Sequence, residues 1–389
     1  MMEENLTEGF EQTGRERALL RFLNRVFYRN PWVPFLQLLP KLYKKRYRPC
    51  EQNLVVRGGK RLRAAVGLYM LDLHAGGGVL HAGGIGNVAV GKRYRGRGYM
   101  KRLMRMAADA CIARDADFMV LGGLRQRYQY FGFERCGQTC RFTVTKTNLR
   151  HFFRGREEAL LTARKLRRDD EAALRAIYAC HAQADLRCSR PEEPAALWDS
   201  LRSWFLEPYA LEQNGVFAGY FLYSPWVSRV EELRLVDWEH AGGAVRAIFR
   251  ALGRAKLRFS VLSAETRASA FFNLLCEQAE VVSPECFCIL NYARVLQAML
   301  RLRAKIAPLC EGGLAIRIKG FAREENLMIR VRDGEISIGE TRETPDITLE
   351  HLAAMRCFFA PVSDERRVLP AHAAAWFPLP LGVPFCDMI

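Results

Sequence analysis

Two stretches hold residues whose types and spacing could do chemistry. In VAVGKRYRGRGYMKRLM, residues 88–104, small and apolar residues run into four basic side chains and two glycines one residue apart. A strand that feeds a helix through a glycine turn is a natural anion site. The free N–H groups of the first helical turn and the helix dipole point at the same spot. Glycine also lets the backbone approach a phosphate with no Cβ in the way. The second stretch is Tyr128-Gln129-Tyr130-Phe131-Gly132-Phe133, in which the Tyr128 hydroxyl is a possible proton donor. Alone, a basic glycine turn is equally a solvated surface loop, and Tyr128 equally an ordinary half-buried tyrosine.

The composition sets limits on what surrounds them. At 389 residues, half of them hydrophobic, the chain has material for two or three domains with real cores. The net charge of +17 invites a nucleic-acid reading, but the excess is mostly arginine spread along the whole length. No stacking platform or reading helix accompanies it, so no nucleic-acid partner is expected. The twelve cysteines fall at irregular spacings without CxxC pairs and neighbouring histidines. They read as reduced buried thiols, with no metal site. The polar, acidic opening MMEENLTEGFEQTGRERALL is neither a signal peptide nor a membrane span, and no later run is long and apolar enough to cross a bilayer. A soluble, cytoplasmic protein with no membrane partner is expected.

Around the two stretches the pattern gives a chain of elements. Apolar spacing predicts a helix over 15–27, and Pro40 opens a second short one. NLVVRGGKRLRAAVGLYMLDL reads as a hairpin, and HAGGIGNVAV as ending in a short strand over 87–90. A helix over 98–115, a continuous apolar strand ADFMVLGG and a helix end running into a last strand follow. No clear first strand is visible at the N-terminus. Residues 160–290 repeat this order, with a hairpin at Asn214-Gly215, but the turn after the corresponding strand reads HAGG and lacks the arginine run and the Gly-x-Gly. From about residue 292 come a helix, alternating strands with one wet face, a further helix and a proline-punctuated tail ending PFCDMI.

The first stretch resembles the pyrophosphate loop of the GNAT acetyltransferases, Gln/Arg-x-x-Gly-x-Gly/Ala after a strand, with Met100 where Gly or Ala is usual and Lys92 where proline often sits. The second resembles the family's Tyr-x-x-Phe-Gly-Phe segment. The layout as a whole resembles the Eis-type (enhanced intracellular survival) N-acetyltransferases. That resemblance implies an α/β (α+β) fold of two tandem GNAT-like mixed-sheet domains, 1–150 catalytic and 151–291 degenerate, followed by a small sterol-carrier-protein-like domain over 292–389. It implies acetyl-CoA as cosubstrate, held by Val88, Ala89 and Val90, by Arg95, Gly96, Arg97, Gly98, Tyr99, Met100 and Lys101, and by Gly123 and Leu124. It implies Tyr128 as the acid that protonates the leaving thiolate, the terminal carboxylate, here on Ile389, as a base, and a hexamer. The acceptor class it implies is a primary amine, on an aminoglycoside-like molecule, a lysine or a polyamine.

Direct transfer requires the amine as its free base. An amine pKa of about 10 against an α-carboxylate of about 3.5 makes direct proton transfer in water uphill by roughly 9 kcal/mol. The carboxylate must therefore be desolvated, act through water, or only hold the ammonium. A cationic acceptor calls for local acids, and Glu193, Asp199, Glu207, Glu231 and Asp237 are candidates by location, each equally a surface carboxylate. Asp387 competes with Ile389 as the useful carboxylate of the tail, or else braces it. The alternative from another class is a non-catalytic CoA- or lipid-binding regulatory protein, with Phe358, Phe359, Trp376 and Phe377 lining a lipid tunnel or simply filling a core.

Overall fold

The computed structural model describes residues 6–27, 34–156 and 159–389. The first five strands are β1 (Leu6–Phe10), β2 (Asn53–Gly58), β3 (Arg61–Ala75), β4 (Gly78–Val90) and β5 (Phe118–Leu121). They lie side by side in that order in an eight-stranded sheet. β4 pairs antiparallel with β3 along its length but parallel with β5 only over Ala82–Gly84 against Phe118–Val120, so the two strands part beyond Gly84. The helix Tyr99–Ala113 connects them across one face, burying Leu103, Met104, Ala107 and Cys111. β5 is apolar throughout because both its faces are covered. Met119 and Leu121 pack under that helix, and Phe118 and Val120 pack in the core on the opposite side.

Two expectations needed correcting. β1 exists, as an edge strand antiparallel to β2. It escaped detection because it is short and largely exposed, so it shows no apolar alternation. The strand before the basic turn runs from Gly78, not from residue 87. Its glycines hid it, and close approach explains them. A Cβ on Gly83 would lie 2.3 Å from Cys111 Sγ of the helix, and one on Gly84 would lie 2.3 Å from the Ile389 side chain. A bulge interrupts the β3–β4 register near Asn87, which takes a left-handed φ of 38°. The Asn87 side chain is fixed there, accepting from Tyr43 Oη at 2.6 Å and donating to Asn53 Oδ1 at 2.8 Å.

The second sheet is built alike. A hairpin, Glu207–Gln213 and Val216–Ser224, leads to strand Arg229–Leu235, helix Ala241–Leu252 and a strand Lys256–Leu262 that runs parallel to 229–235. The two sheets exchange strands. Thr139–Thr145 leaves the first region to pair into the second sheet, and Cys286–Ile289 returns to lie between β5 and Glu134–Arg135 in the first. A four-stranded sheet, ordered 335–340, 324–332, 312–319 and 347–350, carries helices Tyr292–Ile306 and His351–Phe359. Its inner face shares one continuous core with the back of β4 and β5. Phe358, Phe359, Trp376 and Phe377 are buried in that core, with Phe358 and Phe377 ring centroids 4.9 Å apart, so they fill it rather than line a tunnel.

The tail crosses the second sheet on its way to the first. Val383, Pro384 and Phe385 line a small pocket together with Arg229, Glu231 and Ser260. Asp387 then meets Arg190, which donates to both its carboxylate oxygens at 2.9 Å and to Glu232 at 3.0 and 2.7 Å. Burial alone would raise the Glu232 carboxyl, but Arg190 overrules it and holds the group well below its usual range. Asp387 thus braces the tail. Asp387→Asn keeps the shape and removes the charge, and we expect a loss of about 1.5–3 kcal/mol in stability. A lowered melting midpoint with unchanged CoA affinity, measured by calorimetry, is the outcome to look for. An unshifted midpoint would remove the brace.

Candidate active site

Where β4 and β5 part, β4 continues alone toward the basic turn. Its backbone groups on that side have no strand partner among the described residues and face an open cleft of about 670 Å³. The cleft is lined by Val26, Phe27, Val88, Val90, Tyr94, the run Arg95–Met100, Leu124 and Arg127. Strand alternation explains the pattern: Val88 and Val90 face the cleft, while Ala89 turns away into the core beside the first helix.

The turn itself has the geometry an anion needs. Gly96 and Gly98 have φ of 79° and 74°, the left-handed region open to glycine, and a Cβ added at either would meet nothing within 4 Å. They are glycine for backbone shape and access, not for packing. Gly98 caps helix Tyr99–Ala113 without any side-chain bond to the first turn, and its carbonyl accepts from Arg102 N at 3.0 Å. Arg63 donates to Tyr99 Oη at 3.2 Å, and its guanidinium lies 5.1 Å from the Tyr94 ring centroid. Arg63 is also the first cause holding the Tyr99 phenol below its ordinary pKa. Met100 lines the cleft where a smaller residue was expected, and Lys101 lies on the exposed side of the helix, outside the lining.

Tyr128 ends a one-turn helix, Arg125–Tyr128, just after β5. Its ring is buried against Phe133, centroids 6.4 Å apart, and over Gly123, where a Cβ would come within 2.5 Å of it. Gly123 is therefore required by Tyr128 rather than by a ligand. Burial raises the Tyr128 phenol above its ordinary pKa, and the neighbouring Arg127 guanidinium, which lines the cleft, opposes that rise.

Ile389 sits on the same side of β4 as Gly84 and Gly86. Its side chain occupies the space a Cβ on either would need, and its main-chain carbonyl carbon would lie 3.8 Å from a Cβ on Gly86. Three further contacts fix the approach. Lys41 Nζ donates to Cys386 O at 2.6 Å, Trp204 Nε1 donates to Met388 O at 3.1 Å, and Trp204 and Phe385 lie 5.7 Å apart. Trp204 and Phe205 both hold left-handed backbone, φ 60° and 56°, a strained arrangement for aromatic residues that aims the Trp204 indole at the tail. Sequence reasoning missed Trp204, Tyr94, Phe27 and Arg127. Only Tyr94, inside KRYRGRG, carried a usable local signal.

The five acids singled out by location are all engaged. Asp199 is buried with Lys44 and Arg46, Glu193 faces Arg46, Glu207 meets Lys165, Glu231 holds Arg229 and Ser260, and Asp237 caps a short turn at Glu239 N. In the second sheet, the N-terminal turn of helix Ala241–Leu252 is packed shut. A Cβ on Gly243 would lie 2.2 Å from Ala159 O, so the chain around Ala159 packs tightly against that first turn, unlike the open turn at Gly96 and Gly98.

Comparison with known proteins bears on the fold. Residues 12–136 match the family model of the acetyltransferase (GNAT) domain. No curated protein sequence matches the chain. Among solved structures, a GCN5-related N-acetyltransferase from Kribbella flavida superposes with a TM-score of 0.67 at 19% identity, covering 99% of this chain and 98% of that one. A GCN5-related N-acetyltransferase from Anabaena variabilis ATCC 29413 gives 0.69 at 14% identity, covering 98% of each. Eis1 from Mycobacterium abscessus gives 0.66 at 14% identity, covering 96% of each. The fold is that of tandem GNAT-like mixed sheets, and the chain, carrying a GNAT acetyltransferase domain, is an acyltransferase.

The left-handed glycine turn generates a prediction. Gly98→Val forces a branched side chain into φ +74° and into the open cleft. CoA affinity, measured by calorimetry, should fall by more than about tenfold. Unchanged affinity would move the phosphate site elsewhere.

Proposed function

We propose that the protein is an acetyl-CoA-dependent N-acetyltransferase that acetylates a primary amine by direct transfer in the parting of β4 and β5. The observation that carries this reading is the Arg95–Tyr99 turn. Its two left-handed glycines leave the start of helix Tyr99–Ala113 open onto the cleft. Backbone N–H groups there, with Arg95 and Arg97 beside them, fit a pyrophosphate. The unpartnered edge of β4 over Val88–Val90 suits the pantetheine chain, and one of its N–H groups would polarise the thioester carbonyl as negative charge develops on oxygen. The single GNAT-domain match and the closed turn in the second sheet both support one acetyl-CoA per chain.

In this reading Tyr128 gives its proton to the departing thiolate. A raised pKa keeps it protonated, so wild-type kcat should show no alkaline loss due to Tyr128 below its ordinary value of about 10. The Ile389 carboxylate, set over Gly84 and Gly86, receives or orients the amine. Ile389 is half-buried there. The acceptor is an amine on an aminoglycoside-like molecule, a lysine or a polyamine. The divisions 1–150, 151–291 and 292–389, the sterol-carrier-like character of the last, a cytoplasmic location and a hexamer belong to the same reading by resemblance. The lipid-binding alternative loses its main support, because its aromatic residues are core. A thiol-release assay with acetyl-CoA against a panel of amines tests the activity, and no release with any amine would reject it.

Two substitutions separate the roles. Tyr128→Phe should keep CoA affinity and fold while kcat falls by roughly 10²–10⁴-fold. Wild-type turnover would return Tyr128 to a structural part. A short Gly-Ser or His tag after Ile389 should abolish turnover without lowering the melting midpoint, while the same tag before Met1 should not. A fully active C-terminally tagged protein would remove the terminal carboxylate from the mechanism.

A further inference from the structure

Tyr128 lies in a turn too short to hold itself. One helical turn, Arg125–Tyr128, leads through Gly132, in left-handed conformation at φ 81°, to a two-residue strand, Glu134–Arg135. An isolated turn of this length has no intrinsic stability. Its fastenings come from the third sheet's layer. His351 Nε2 lies 2.8 Å from Gly132 O, and His351 Nδ1 lies 3.0 Å from Tyr292 Oη. With Nε2–H donating to Gly132, Nδ1 carries no hydrogen, and the Tyr292 hydroxyl has both Nδ1 and His351 O as acceptors at 3.0 Å. The Phe321 ring covers Gly132, within 2.4 Å of where its Cβ would be. At the other end, the buried Glu134 carboxylate receives Arg125 from the start of the Tyr128 turn and Arg356, 2.9 Å away, from the helix His351–Phe359.

One helix therefore grips both ends of the turn that carries the phenol, while its Ala354, Met355, Phe358 and Phe359 are locked in the main core. We infer that His351 and Arg356 are positioning residues that set Tyr128 for proton transfer, which makes helix His351–Phe359 a working part of the acetyl-transfer site. The inference rests on the reading of Tyr128 as the acid. The contacts of both residues run to the segment that carries Tyr128, through Gly132 O for His351 and Glu134 for Arg356.

The test is a double-mutant cycle in the full-length protein, with His351→Ala and Arg356→Met each made alone and with Tyr128→Phe. We expect each to lower kcat by on the order of 10- to 100-fold in the wild-type background, as a displaced catalytic group does. CoA affinity should stay within about twofold, because the phosphate turn is untouched. In the Tyr128→Phe background the further loss should vanish. His351→Gln, which keeps a donor toward Gly132, should recover most of the activity and serves if the alanine variant folds poorly. The same fractional loss in both backgrounds, or wild-type kcat in the first, would overturn the inference. A second readout separates it from the acid assignment. The Tyr128 phenol, titrated by alkaline difference absorbance against the matching Tyr128→Phe protein, should fall toward about 10 when the grip is broken. If Tyr128→Phe is fully active, the acid reading fails, while this shift still decides whether the helix positions the ring; an unshifted titration would overturn that too.

Discussion

The structure depends on one interruption in a hydrogen-bond ladder. β4 and β5 pair over three residues and then separate, while β4 stays paired to β3 on its other side on both sides of the bulge at Asn87. A central strand with a free edge is costly unless something supplies partners for its backbone groups. The surrounding elements serve that edge. The glycine turn and helix Tyr99–Ala113 bound it at one end, the Tyr128 turn flanks β5, and Ile389 lies across Gly84 and Gly86 at the other. The Asn87 bulge, pinned by Tyr43 and Asn53, bends β4 at the start of the free segment.

The second sheet repeats the scaffold with another use. Its parallel pair, 229–235 with 256–262, meets over two residues, but its helix start is closed by Ala159. In place of a phosphate it holds the tail. Val383–Phe385 lie against its strands, Arg190 and Glu232 take Asp387, and Trp204 takes Met388 O. The tail thus reaches the first sheet with its direction set by the second. The strand exchange, 139–145 outward and 286–289 back, welds the two sheets so that this direction is kept.

Much of this was legible in the sequence where a local rule applied. The Asn214-Gly215 hairpin, the helix from Tyr99, the apolar strand 118–121 and the alternation in residues 324–332 all follow from short-range pattern. Both glycines of RGRG could be read because a positive φ leaves a local mark. What was hidden depends on distant partners. Only the end of β4 was read as strand, because Gly83, Gly84 and Gly86 are small for the sake of Cys111 and Ile389, 28 and more residues away. The strand exchange leaves no mark in composition, since 286–289 is as apolar in one sheet as in another. Trp204 and the His351–Gly132 contact join residues nearly two hundred or more positions apart. The five acids proposed for the acceptor failed as free charges because each lies beside a basic residue, a hydroxyl or a backbone N–H, distant in sequence for Asp199, Glu193 and Glu207 and two residues away for Glu231 and Asp237.

The central claim is that acyl transfer takes place where β4 and β5 part. A crystal structure of the protein with CoA bound tests it most directly. The account predicts the pyrophosphate on the backbone N–H groups of residues 96–100, pantetheine along Val88–Val90, and the sulfur between the Tyr128 hydroxyl and the Ile389 carboxylate. CoA bound outside that cleft, or a sulfur remote from both groups, would contradict it.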